Sequence, residues 1–372
     1  MESNHKIYLH KDLQKLICQI LKKKGENDIY IHPFNRFGNT GSALYLIYFS
    51  KIEDGSLPFI LKTFTNANEK SMKNFEREMK GMKLIKNKYD VLTFESFKGE
   101  GELSGILLKH VNDNPIKIND SQTLANILYY DEIKSCEIIN DTFHNFRRVY
   151  TDIDIVECNI KELYNSYLRK DDTGKDKTRS IIEKLVGNIE GETIYFDGEV
   201  ITNPVYVLDN LKEKTKIVKS LIHGDLHLNN IVLDDNNYPR IIDFAWTCYN
   251  DIYIDFSILE IAARYWNAPL IDFETKNKLE GMFLCRDIKD SKDNQDAQKI
   301  ITIVRNIRLL CEKYCKRENF DYDFNHHLLS QFLILYGLQS HTDKYNPYIV
   351  IPFLAKLGKK LIEIGYTNKR EI

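Results

Sequence analysis

The stretch LIHGDLHLNNIVLDDNNYPRIIDF, Leu221 to Phe244, gathers polar groups of different chemistry between apolar flanks. Ile231-Val232-Leu233 and Ile241-Ile242 read as two short buried strands, joined by the turn Asp234-Asp235-Asn236-Asn237. On the upstream side, Val218 and Leu221-Ile222 lead in from a helix expected over Val205 to Ser220. His223, Asp225, Asn230 and Asp243 therefore fall where the backbone enters and leaves a hairpin. A rigid scaffold can aim side chains at a ligand from such a place.

Upstream of this stretch, the chain opens with an amphipathic helix through Leu13, Leu16, Ile17, Ile20 and Leu21, ending near Lys24-Gly25. Strand patterns follow at Ile29 to His32, Ala43 to Phe49 and Pro58 to Phe64, then a helix over Asn68 to Lys86 and further strands at Val91 to Phe97 and Gly105 to Val111. After Asn112 the pattern turns helical: Leu124 to Ile139, Ile160 to Lys170 and Thr178 to Ile189, with a small β-prone insert at Thr193 to Ile201. Beyond Phe244, helices are expected at Phe256 to Trp266, Asp296 to Cys315, His327 to Leu338 and Ile349 to Ile364, with a polar loop from Arg286 to Asp296. The expected class is α+β: a mixed-sheet N-terminal lobe with one main helix over residues 1–109, a hinge at 110–113, and a helical C-terminal lobe over 114–372.

With 372 residues and 43% hydrophobic content, the chain can bury a large core. Its 52 basic and 54 acidic residues leave a net charge of −2, which argues against a nucleic-acid partner. No apolar run approaches the ~20 residues that span a bilayer, and MESNHKIYLHKD lacks the order of a signal peptide. A cytoplasmic location and no membrane partner are the expectations. The seven cysteines are scattered without CxxC pairs, consistent with reduced thiols.

Phosphoryl transfer asks a protein mainly for aligned reactants and stabilised charge. An Asp base near the accepting hydroxyl, with an Asn and a second Asp on Mg²⁺, meets that demand, because Mg²⁺ takes hard oxygen ligands. The order HxDxxxxN and then D-F occurs here as His223, Asp225, Asn230 and Asp243-Phe244.

HGDLHLNNI followed by IIDF resembles the aminoglycoside phosphotransferase and choline kinase family, relatives of the protein kinases. The resemblance implies a protein-kinase-like two-lobed fold, with Asp225 as catalytic base, Asn230 and Asp243 as magnesium ligands, and His223 fixing the loop. It also places Lys62, in FILKTF, at the lysine that holds nucleotide phosphates. That lysine requires a carboxylate partner, and NFEREM offers Glu76 and Glu78; at ~100° per residue Glu78 shares the apolar arc of Phe75, Met82 and Ile85. FGNTGS, with Gly38, Gly41 and Ser42, resembles a nucleotide-covering loop, and hinge backbone from Lys109 to Val111 is expected to hold the base. Asp255 resembles the Asp that opens the family's next helix, which suggests a capping role.

Gly224 replaces the Arg that protein kinases carry after the His, and no APE-type segment follows Asp243, so a small-molecule hydroxyl is the expected acceptor of phosphate from ATP or GTP. Acidic residues outnumber basic ones between Asp243 and Asp296, which favours a cationic acceptor such as an amino-sugar or a choline-like amine. Trp246, Tyr249, Tyr253, Tyr265 and Trp266 offer aromatic faces to it, and core aromatics on an ordinary helical surface are the plainer alternative. Three rival functions stand beside this reading: a metal hydrolase built on the alternation His223, Asp225, His227; a catalytically weak kinase-fold scaffold; and a protein-directed effector kinase. The oligomeric state is not legible.

Overall fold

The computed structural model describes residues 11–26, 28–33, 42–49, 59–89, 94–99, 101–109, 123–150, 153–168, 176–234, 236–266, 268–269, 271–291, 294–339 and 346–368. They form two compact units, one of residues 1–123 with 230–248, the other of 124–229 with 249–372. The hairpin at the heart of the opening stretch thus belongs with the N-terminal sheet.

In the first unit, α1 (Lys11–Lys24) precedes β1 (Ile29–Pro33), β2 (Ala43–Phe49) and β3 (Phe59–Thr65); α2 (Glu69–Ile85), β4 (Phe94–Phe97) and β5 (Leu103–Lys109) follow. The sheet order is β1-β2-β3-β5-β4. Its pairings are antiparallel throughout, which corrects the expectation of a mixed sheet. The reason is connectivity: β4 and β5 form their own hairpin, and β5 rather than β4 joins β3. Leu13, Leu16, Ile17 and Ile20 of α1 pack with Ile47, Phe49, Leu61, Phe97 and Leu107 on one sheet face. Successive strand side chains alternate faces. Next to Leu61, therefore, Lys62 points to the other face, where α2 lies and where Phe64 meets Phe75 edge-on at 5.3 Å. Asn68 starts α2 by accepting from the Ser71 amide at 3.1 Å.

The second unit opens with α3 (Leu124–Ile127) and α4 (Glu132–Phe146), then β6 (Asp154–Asn159), α5 (Ile160–Leu163), α6 (Lys177–Val186), the hairpin β7 (Thr193–Phe196) and β8 (Glu199–Thr202), α7 (Pro204–Asn210) and β9 (Lys214–Ile222). Two expected helices are shorter here. The segment from Leu124 to Ile139 breaks where Asp131 caps α4 by accepting from the Lys134 amide, and Ile160 to Lys170 keeps only the four residues of α5. The helix expected over Val205 to Ser220 is a short helix followed by a strand. Asn203 and Pro204 start the helix, but KTKIVKSLI carries β-branched Thr215, Ile217, Val218 and Ile222 and finds a partner in β6, with Ile217 opposite Val156.

The hairpin β10 (Ile231–Leu233) and β11 (Pro239–Ile241) returns the chain to the first unit, and β12 (Cys248–Asp251) joins the sheet β12-β9-β6. Helices complete the second unit: α8 (Tyr253–Ile261), a π-helical turn Ala262–Trp266, α9 (Phe273–Phe283), α10 (Gln295–Arg317), α11 (Phe324–Leu338) and α12 (Pro347–Glu363). Every residue of α8 is buried. Among the described residues no helix is long and apolar enough to cross a membrane.

Candidate active site

In the first unit the ammonium of Lys62 lies 2.6 Å from Glu78 and 3.7 Å from Asp243. Lys62 and Glu78 are buried, whereas Glu76, two residues away, is exposed. Burial works against the charge on Lys62, but the carboxylates of Glu78 and Asp243 outweigh it and hold the ammonium above its ordinary range. Burial pushes Glu78 up to about 7, with Lys62 opposing and the charge of Asp243 adding to the rise. One cation thus faces two carboxylates, which leaves surplus negative charge on the side of Asp243.

Local folding fixes Asp243. The β10–β11 ladder pairs Ile231 with Ile241, and the Ile242 amide donates to the Asn230 carbonyl at 3.0 Å, so Asn230 and Asp243 lie at the same open end of the hairpin. Two contacts anchor that end to α2 and the turn that follows it. The Ile241 amide donates to the Tyr89 hydroxyl at 3.0 Å. A Cβ on Gly81 would come within 1.9 Å of the Phe244 carbonyl oxygen, so only glycine lets α2 approach this closely. Asp243 takes φ +63°, a left-handed backbone uncommon for a side-chain-bearing residue and a reservoir of strain typical of functional sites. Asn230 and Asp243 supply one amide oxygen and one carboxylate, hard donors that fit Mg²⁺ and leave positions for phosphate oxygens and water. Gly81 and Tyr89 escaped the sequence reading; a glycine inside a helix three residues after Glu78 was the available signal.

In the second unit the loop after β9 is held by a buried carboxylate. Asp255 accepts from the His223 amide (2.8 Å), the Gly224 amide (2.8 Å) and the Tyr150 hydroxyl (2.9 Å). Burial raises the pKa of Asp255, and the contribution of His223 opposes the rise. Asp255 thus fastens the loop backbone, where the sequence suggested a helix cap. The first turn of α8 has no side-chain cap. Gly224 adopts φ +81°, and its carbonyl accepts from Tyr167 at 2.7 Å. Buried His223 accepts at Nδ1 from the Asp225 amide, 3.2 Å away, so a neutral ring carries its proton on Nε2. Asp225 keeps its side chain about a third exposed, with His227 Nε2 at 3.8 Å and the His227 ring against Trp266 at 5.1 Å.

Gly38, Gly41 and Val111 lie outside the described residues, as does the side chain of Lys109, whose backbone ends β5. Ser42 is buried just before β2. Four of the eleven acids from Asp243 to Asp296 are internal: Asp251 meets His326 at 2.5 Å, Asp255 holds the loop, and Glu260 and Glu280 are paired with arginines, whereas Asp272, Glu274, Asp287 and Asp290 are exposed. Of the five aromatics, Trp246 faces Arg77, Tyr253 is core, and Tyr265 packs on Phe353; Tyr249 is exposed and Trp266 abuts His227. Among the described residues no group of three or more His, Cys, Asp or Glu assembles that could hold a metal.

Residues 205–276 match the family model described as "Phosphotransferase enzyme family", so the resemblance carried by HGDLHLNNI and IIDF holds over that span. No curated protein matches the chain. Similar solved structures include a choline kinase from Streptococcus pneumoniae, 11% identical over 94% of this chain and 99% of that one, with TM-score 0.44. An aminoglycoside phosphotransferase from Streptomyces rimosus is 16% identical over 88% and 98%, with TM-score 0.42. A putative fructosamine-3-kinase from Thermobifida fusca is 10% identical over 93% and 98%, with TM-score 0.47.

Proposed function

We propose that this chain, a phosphotransferase by its 205–276 segment, moves the γ-phosphoryl of ATP or GTP to a hydroxyl of a small molecule, with Mg²⁺ as cofactor. The observation that carries the reading is the buried Lys62–Glu78 pair with Asp243 held 3.7 Å from the same ammonium in a left-handed backbone. A structural ion pair needs no strained third member, whereas strained backbone clusters at functional sites.

In this reading Lys62 binds nucleotide phosphate oxygens, and Glu78 keeps its ammonium charged and aimed. Asn230 and Asp243 hold Mg²⁺, which when bound neutralises charge on the phosphates. Asp225 accepts the proton of the acceptor hydroxyl as the new O–P bond forms and the bond to the departing nucleoside diphosphate breaks. His223 and Asp255 keep the loop of Asp225 in shape through the hydrogen bonds to its backbone. Of the acids that favoured a cationic acceptor, Asp251, Asp255, Glu260 and Glu280 are engaged inside the fold, which leaves Asp272, Glu274, Asp287 and Asp290 as the exposed ones.

The test is ADP or GDP release across a panel of hydroxylated metabolites, amino-sugars and choline-like amines, alongside autophosphorylation. Release should depend on Asp225, and equal rates in the protein and in Asp225→Ala would overturn the base assignment. A nucleotide-binding scaffold would bind Mg-ATP without any acceptor-stimulated turnover, and labelling of a protein acceptor alone would instead favour the effector kinase.

A further inference from the structure

In the second unit two half-buried lysines stand beside a buried charge cluster whose carboxylates are already taken. Arg264, on the π-helical turn, donates to Glu280 and, at 3.1 Å, to Glu260; Arg308 grips Glu260 at 3.0 and 2.7 Å. Both carboxylates are thereby filled. Two further cations adjoin them. The Lys276 ammonium sits 5.1 Å from the centre of the Tyr265 ring, and Lys356 donates to the Asn277 carbonyl at 2.9 Å and to the Asn277 side chain. The rings beneath them touch: Tyr265 and Phe353 are 6.0 Å apart, and Lys356 lies 6.0 Å from Phe353.

Four cationic groups, Arg264, Arg308, Lys276 and Lys356, therefore share two internal carboxylates, Glu260 and Glu280. Among the described residues neither lysine has a carboxylate at ion-pair distance, and the acids that act on them are Glu280, already bound by Arg264, and, for Lys356 alone, Glu199. Partial burial lowers the pKa of both lysines, as expected for ammonium groups short of a counter-charge. A half-buried cation with no counter-charge is costly unless a ligand supplies one.

The π-helical turn links this cluster to the base. Tyr265 carries it, and the next residue, Trp266, meets His227, two positions beyond Asp225. Such turns occur often at functional sites. Resting on the proposed phosphotransfer, we infer that the acceptor bears an anionic group, a carboxylate or a phosphate, which seats on Lys276 and Lys356 while its hydroxyl is presented to Asp225.

The first arm of the test is calorimetric titration of the nucleotide-free protein with citrate. Binding should weaken at least tenfold in Lys276→Met/Lys356→Met, survive in Lys276→Arg/Lys356→Arg, and survive in Lys62→Met, which removes the phosphate clamp instead. Melting curves of the variants control for folding, and the charge-retaining pair keeps the arm decisive if the Met pair unfolds. No citrate binding by the unmodified protein, loss with the Arg pair, or equal binding by the Met pair would overturn the seat. The second arm is ADP release with neutral, cationic, carboxylate-bearing and phosphate-bearing hydroxyl compounds. Stimulation confined to one or both anionic sets supports the inference and identifies the group; stimulation by neutral or cationic compounds overturns it. If no compound stimulates release, the phosphotransfer reading fails and, with it, the acceptor inference, while the citrate arm still reports on the anion seat.

Discussion

Two of the buried charged clusters among the described residues are finished differently. Around Glu260, Arg264, Glu280 and Arg308 each carboxylate oxygen meets a guanidinium, and Gln331 and the Cys285 and Phe283 carbonyls take further guanidinium donors. Around Lys62 the pairing with Glu78 is tight, but Asp243 stands off at 3.7 Å, about a third exposed, on a left-handed backbone. The closed cluster holds helices together. The open one leaves Asp243 partly exposed beside the ammonium, and its geometry is maintained at a cost in strain.

The sharpest way to break this comparison is to remove one member from each cluster. Arg264→Met should leave Glu280 and Glu260 short of a partner and lower stability by about 3–5 kcal/mol, read as a fall in urea midpoint; a loss within experimental error would show that the closed cluster is not structural. Lys62→Met should change the melting temperature less and lower turnover on the order of 10²-fold. In calorimetry with Mg-ATP, Asp243→Ala should weaken binding more than Asp225→Ala, because one is assigned to metal and the other to the acceptor; the reverse order would refute that division.

Smaller effects sharpen it further. Gly81→Ala must displace the Phe244 carbonyl or the helix, so nucleotide affinity should fall while α-helical content measured by circular dichroism stays unchanged. Burial opposes the ionisation of Glu260, but Arg308 and its neighbours outweigh it and bring its pKa down from the ordinary 4.5 to about 2. A depressed carboxylate contributes stability above its unfolded value, and that contribution disappears as pH falls from about 4.5 to about 2. Thermal unfolding across that window should be steeper in the unmodified protein than in Glu260→Gln. Smallest of all, Asn68→Ala should remove the cap of α2 at a loss of about 1 kcal/mol.

Much of the first unit is legible because its signals are local. β-Branched and aromatic runs mark β2 and β3, and the helical phase that puts Glu78 among Phe75, Met82 and Ile85 selects the carboxylate that the structure places on Lys62. Local pattern misleads where a distant partner decides. Lys214 to Ile222 has hydrophobic residues at helix-compatible spacing, yet β6, far away in sequence, makes it a strand. Similarly, the acids after Asp243 look like a surface when counted along the chain, but Asp251, Asp255, Glu260 and Glu280 are buried in pairs.

The sequence by itself determined which residue types are available and in what order: a lysine on a strand, a carboxylate on the following helix, and His223, Asp225, Asn230 and Asp243 around a hairpin. These are properties of short windows, where spacing and side-chain period suffice. Tertiary structure alone decided that the hairpin belongs with the N-terminal sheet, that Gly81 and Tyr89 seat it, that Asp255 ties down the loop instead of capping a helix, and that Lys276 and Lys356 are left without carboxylates. Those facts depend on contacts between residues tens to hundreds of positions apart, and on which charges pair in a low-dielectric interior, neither of which a linear pattern encodes.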